Sequence, residues 1–234
     1  MKNLILFFAF VLFSNFALAA EPNEIRLIKS QILKLAQSYQ GQGDPDFSRQ
    51  KSLEPLVQKL LKLSPQASIQ KRLPILYGVW KQVWGPYDYK HKNRGVDPHI
   101  GVDEIYQAVF PGGYYYNISP VFKNGDRKNI RIGLLRGEYK LDPVNPIALD
   151  IQFTNYAGVN GRPDTRIPIW SLAELSESGK LQGEVAIVST TIVKLFFGGG
   201  ALKELYTDQD MRILYGDSSN QFQKPYLYVM TRVQ

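Results

Sequence analysis

The chain has 234 residues and no cysteine, and its 28 Lys and Arg outnumber 21 Asp and Glu for a net charge of +7. The missing cysteines exclude a disulfide framework, Cys-based zinc sites, a thiol nucleophile and a lipid-modified Cys. A chain of this length buries a full core without cross-links.

The first residues predict export. Lys2 gives a short positive start, Leu4 to Phe13 is an unbroken apolar run, and Ala17-Leu18-Ala19 places small residues where a signal peptidase reads. The cut is expected after Ala19. The run is shorter than the ~20 residues a bilayer-spanning helix needs, which argues against a retained anchor. Export without cysteine points to a bacterial periplasm or to secretion. It also takes nucleic acid out of reach as a partner, and leaves an anionic membrane surface as the polyanion that a basic protein would meet.

Two helices come next. Ile25, Ile28, Ile32, Leu35, Ala36 and Tyr39 recur at helical spacing over Asn23–Tyr39. Leu53, Leu56, Val57, Leu60 and Leu61 form the stripe of a second helix, with Ser52 as N-cap, Pro55 in the first turn and Ser64-Pro65 closing it. Each stripe should pack onto the domain that follows.

From Leu73 the pattern changes to strands. Leu76 to Trp84 reads as a strand with Gly78, Trp80 and Trp84 on one face. A polar loop, Gly85 to His99, leads to paired strands Glu104–Phe110 and Tyr114–Phe122, joined through Pro111-Gly112-Gly113. Asn124-Gly125 is a hairpin turn into Asn129–Leu141. Ile130, Ile132 and Leu134 share one parity there, while Leu135, Tyr139 and Leu141 take the other, which predicts a bulge near Leu135 to Gly137. Ile147, Leu149, Ile151 and Phe153 alternate with polar residues as a strand with one buried face. Pro163 to Lys180 is irregular apart from a short helix around Leu172. Glu184–Phe197, Asp210–Tyr215 and Pro225–Arg232 supply further strands, and Gly198-Gly199-Gly200 reads as a flexible turn. Eight or nine strands make the fold mainly β, an antiparallel barrel preceded by N-terminal helices. Three regions follow: a signal peptide over 1–19, a helical segment over 20–72 and a β-barrel domain over 73–234.

Three segments are similar to the plastid-lipid-associated protein (plant fibrillin) family. Leu76-Tyr77-Gly78-Val79-Trp80 resembles its opening L-x-G-x-W strand. Ile105-Tyr106-Gln107, with Asn117 ten residues on, resembles its paired Y-Q and N strands. Leu205 to Asp217, followed by Tyr226-Leu227-Tyr228-Val229, is similar to its Y-L-D-x-D-L-R-I-x-R-G-D segment and closing aromatic strand. The chain departs at Tyr215, where the family has a second Arg, and at Thr207, where it has a leucine-like residue. The resemblance spans Leu53 to the C-terminus and implies a lipocalin-like barrel that carries apolar molecules such as prenyl lipids.

Aromatic residues are plentiful, 14 Tyr, 12 Phe and 3 Trp, and a small closed barrel can hold one ligand among inward side chains. The expected lining is Trp80, Tyr114, Tyr116, Ile147, Leu149, Ile151 and Phe153. Trp80 and Arg212 are expected to stack where the first and last strands meet, with Arg232 as the alternative partner. No catalytic residue, cofactor or metal is predicted. His91 and His99, near Asp97 and Asp103, lack a zinc-ligand spacing, and Asp208, Asp210 and Asp217 suit turn capping or an ion pair with Arg212 better than acid–base work. The function that follows is binding of an apolar molecule or lipid. The alternatives are an envelope hydrolase for lipid or glycan and an envelope protein without ligand.

Overall fold

The structure, a computed structural model, describes residues 22–40, 42, 44, 46–85, 100–102, 105–123, 130–160, 171–180, 185–188, 191, 198–218 and 225–233. The expected signal peptide, the His91/His99 loop, the Asn124-Gly125 turn and the end of the expected Glu184–Phe197 strand lie outside these residues.

Among the described residues three helices come first: α1 (Asn23–Ser38), α2 (Ser48–Leu63) and α3 (Ile69–Leu76). The α1 stripe buries Ile25, Ile28, Ile32 and Ala36 as its spacing requires. Helix α2 starts four residues ahead of the expected Ser52 cap, because the Asp44 carboxylate accepts from the backbone N–H groups of Arg49 (3.0 Å) and Gln50 (2.8 Å). Pro55 therefore falls inside the helix rather than in its first turn. Helix α3 corrects the expected onset of strands at Leu73: residues 73–76 complete a helical turn.

The strands are β1 (Gly78–Trp84), β2 (Ile100–Val102), β3 (Tyr106–Phe110), β4 (Tyr114–Lys123), β5 (Ile130–Leu141) and β6 (Ala148–Asn160). A short helix α4 (Leu172–Glu177) follows, then β7 (Val185–Val188), β8 (Gly199–Thr207), β9 (Met211–Ser218) and β10 (Tyr226–Arg232). The sheet runs β4-β3-β1-β10-β9-β8-β6-β5, and β5 pairs back onto β4. Eight antiparallel strands thus form a closed ring in which chain neighbours are sheet neighbours. Strand β2 pairs with β4 past the end of β3, and β7 pairs with β6 past the end of β8, at one end of the ring.

One apolar cluster takes Trp80, Val109, Tyr115, Tyr139, Leu149, Leu202, Leu214 and Met230, one side chain from each ring strand, together with Ile69 and Leu76 of α3. Side chains from all eight strands can meet only inside the ring, so this cluster is its interior and α3 stops one end. Two other clusters lie on the outer face. Helices α1 and α2 cover Trp84, Leu205, Tyr206, Met211, Ile213, Leu227 and Val229. Helix α4 covers Tyr106, Ala108, Tyr116, Ile118, Ile132, Leu134, Ala157 and Val159.

These faces correct two expectations. Trp80 and Trp84 do not share a face, because the β1–β10 register shifts between Gln82 and Trp84 and turns Trp84 outward under the helices. Strand β5 does not change face near Leu135: it pairs with β4 without interruption from Phe122↔Ile130 to Tyr114↔Glu138. Ile132 and Leu134 are apolar because α4 covers them from outside. The expected irregularity does lie at Arg136/Gly137, but in the β5–β6 pairing: Arg136 faces Asn155 and Gly137 faces Phe153, so the extra residue is Thr154 of β6.

The Gly198–Gly200 run is also not a turn alone. Gly199 opens β8, and a Cβ there would sit 2.6 Å from the Ile151 carbonyl oxygen, so the close approach of β6 requires glycine.

Helix α1 is fastened to the β8–β9 turn. Lys29 Nζ and the Tyr206 hydroxyl both donate to Asp208 Oδ2, each at 2.6 Å, while the N–H groups of Asp210 and Met211 donate to Oδ1. Burial pushes the Asp208 carboxyl up, but Lys29, Tyr206 and the two backbone donors together hold it below its ordinary value of 3.8. A carboxylate held low stabilises the fold above its unfolded value, and that contribution is lost as the pH falls through about 4 and below. Asp208→Asn should cost about 1–2 kcal/mol near neutral pH, and the gap to wild type should close in acid. Urea unfolding across that range measures it; a gap independent of pH would mean that the carboxylate charge is not what fastens α1.

Candidate functional site

The interior of the ring is the candidate site, and its deep end is polar. Glu204 of β8 and Arg212 of β9 are fully buried and ion-paired, with Arg212 Nη2 to Glu204 Oε1 at 2.5 Å and Nε to Oε2 at 2.9 Å. This bidentate geometry is what a buried guanidinium–carboxylate pair needs to offset desolvation. Arg212 Nη1 donates to Gln107 Oε1, and Gln107 Nε2 donates to Asn117 Oδ1 at 2.9 Å. Gln107 and Asn117 are direct partners across β3 and β4. The ten-residue spacing seen in the sequence is therefore a cross-strand contact. Arg72 of α3 reaches the Glu204 carbonyl (2.8 Å) and Thr207 Oγ1 (3.2 Å), which anchors the helix at this end.

Trp80 lies in the same interior. Its indole N–H donates to the Leu76 carbonyl at 2.8 Å. Arg232, its partner across the β1–β10 seam, stacks over the ring at 4.2 Å, and Arg212 lies at 6.0 Å. Both expected cations approach Trp80, with Arg232 nearer, because Arg212 is directed by Glu204.

The other expected lining residues separate by parity. Leu149, Ile151 and Phe153 line the interior together. Tyr115, not Tyr114 or Tyr116, shares it, with its ring 6.2 Å from that of Phe153. Tyr114 and Tyr116 point outward: Tyr114 stacks on Phe110 at 5.0 Å, and the Tyr116 hydroxyl donates to Glu177 beside α4 at 2.7 Å. Three tyrosines in a row carry no alternation, so nothing in that run fixes which of them turns inward. Ile147 precedes β6 and packs against the outer cluster under α1 and α2.

Tyr115 is the residue that composition could not single out. It is 2% exposed, and its hydroxyl has no hydrogen-bond partner. Burial pushes its pKa far above the ordinary phenol value, so the group stays neutral. Its ring lies across Gly137, where any Cβ would come within 2.6 Å. An unpaired buried hydroxyl costs about 1–3 kcal/mol. Tyr115→Phe should therefore stabilise the empty protein by about 1 kcal/mol, against the usual trend for Tyr→Phe. Thermal unfolding reads the sign, and a clear loss would show that the hydroxyl is satisfied after all.

Among the described residues, the acids singled out in the sequence do not converge here. The Asp208 carboxylate is occupied by the turn and by Lys29, Asp210 is exposed, and the Asp217 side chain lies outside the described residues. Among the described residues no three His, Asp or Glu side chains come together as a metal site.

The protein is thus a mainly β protein whose closed ring of eight antiparallel strands is stopped by one helix and encloses a buried ion pair. Compared with known proteins, the chain matches no family model, no curated protein and no solved structure. The resemblance to the plastid-lipid-associated proteins therefore rests on its short motifs alone.

Proposed function

We propose that this protein is an exported carrier of an apolar small molecule, a lipid or prenyl lipid, held in a lipocalin-like barrel formed by the ring. The reading rests on one observation, the change in burial along the inward faces. Near α3 the inward side chains are sealed: Trp80, Arg212 and Glu204 are 0% exposed. On two other strands of the ring, β5 and β6, Leu135, Ile151 and Phe153 are only half-buried although they face inward. Apolar side chains that face inward yet remain accessible define a chamber wall, and an apolar occupant would remove that surface from water at ~25 cal/mol per Å². Residence in the periplasm or outside the cell accompanies this reading through the N-terminal leader. A relationship to the plastid-lipid-associated proteins would account for the motifs around Trp80, Gln107 and Arg212.

Titration of the mature protein with fluorescent fatty-acid and prenyl probes should saturate at one probe per chain. Binding should persist in ~1 M salt, where screening acts within about 3 Å, because apolar burial rather than the surface bases would supply the affinity. Absence of saturable uptake, or uptake abolished by salt, would remove the carrier reading.

A further inference from the structure

The interior holds a hydrogen-bond chain whose direction is fixed by chemistry at its buried end. A guanidinium only donates. Arg212 gives Nε and Nη2 to Glu204 and Nη1 to Gln107, so Gln107 must present its amide oxygen to the cation. With that oxygen committed, Gln107 turns its NH2 group toward β4 and donates to Asn117 Oδ1. Asn117 is then oriented in turn: its oxygen is occupied, and its NH2 group faces onward with no described side chain or carbonyl accepting from it. Glu204, Arg212 and Gln107 are buried, whereas Asn117 is the first member of the chain that is partly exposed. It lies on the inward face of β4, two residues from Tyr115 and opposite Leu135. The cation at the base thus sets the polarity that the chamber presents at its wall.

We propose that the chamber selects an apolar molecule carrying a neutral acceptor oxygen, an ester or a ketone, seated against Asn117 Nδ2 with its chain along Leu135, Ile151 and Phe153. This rests on the reading of the interior as a ligand chamber and adds the chemistry of the ligand's polar end. Tyr115 supplies the second observation. Its buried hydroxyl on the same inward face lacks a partner, and an acceptor oxygen inside the ring would provide one. Arg212 is committed to Glu204 and Gln107, and Arg72 and Arg232 are directed to protein oxygens, so a carboxylate at Asn117 would pair with no guanidinium there and a neutral acceptor is favoured. A head group that only donates meets the NH2 group of Asn117, itself a donor.

The test compares probes of one chain length: methyl dodecanoate, an alkane of matched length and dodecylamine, each displacing a fluorescent reporter from the mature protein. Wild type should bind the ester about tenfold more tightly than the alkane, the equivalent of one net hydrogen bond. Asn117→Asp keeps the acceptor that Gln107 uses but puts oxygen where the NH2 group was. It should lose the ester preference and gain one for the amine. Asn117→Ala should bring the ester down to the alkane, and it serves if the Asp variant unfolds. Equal binding of ester and alkane by wild type, or an ester preference that survives both substitutions, overturns the proposal while the carrier reading stands. Failure of every probe, the alkane included, overturns the carrier reading itself.

Discussion

Arg212→Leu should remove about 3–5 kcal/mol of stability, because it leaves the Glu204 carboxylate fully buried without its partner. The loss should exceed what the missing packing explains. Nε and Nη2 both close on Glu204, and Nη1 orients Gln107, so a single substitution frees a charge and an amide together. Glu204 would then fold more readily protonated than ionised. A carboxyl raised above its unfolded value loses its contribution as the pH rises, so the variant should be weaker near pH 8 than near pH 5. The double replacement Glu204→Leu with Arg212→Met removes both charges and should lie within about 1–2 kcal/mol of wild type. Urea unfolding of the three proteins at both pH values decides it. A single variant that loses less than about 1 kcal/mol, or a double variant as weak as the single, would mean that the pair is not the electrostatic unit its geometry describes.

Trp80→Ala should cost about 3–5 kcal/mol, the range for truncating a buried tryptophan, and should cost more than Trp84→Ala. Both side chains are buried, so area alone does not separate them. Their polar ends do. The Trp80 indole N–H donates to the Leu76 carbonyl, and Arg232 stacks over the ring at the seam where β1 meets β10. The Trp84 indole N–H is buried without a partner, so its removal recovers part of a desolvation cost. Phenylalanine isolates the difference: Trp80→Phe should lose about 1–2 kcal/mol through the hydrogen bond and the cation–π contact, whereas Trp84→Phe should be nearly neutral. Equal losses in the two Phe variants would place ring closure elsewhere than at Trp80.

The sequence carried the periodic parts of this fold. Helix α1 lies where its 3.6-residue stripe placed it, and the inward alternation of Leu149, Ile151 and Phe153 survives intact. Features that depend on a partner far along the chain were not legible. Helix α3 was hidden because Leu73, Ile75 and Leu76 suit a strand as well as a helix; the packing of Ile69, Arg72 and Leu76 across one end of the ring decided the matter. Strand β8 was lost between glycines and a register shift near Leu205, although Gly199 is needed by the backbone of Ile151. A missed register shift also placed Trp84 with Trp80. Gln107 and Asn117 stood out as residues of a motif. Their joint orientation by Arg212, 105 positions from Gln107, required the ring to close first.

The most direct measurement of the carrier reading is the content of the interior as the protein is made. The mature protein purified from its native compartment, without detergent, is extracted into organic solvent and the extract analysed by mass spectrometry against the protein concentration. About one apolar molecule per chain is expected, bearing an ester or ketone oxygen and released on unfolding. Repeatedly empty extracts from folded protein that also takes up no probe would contradict it.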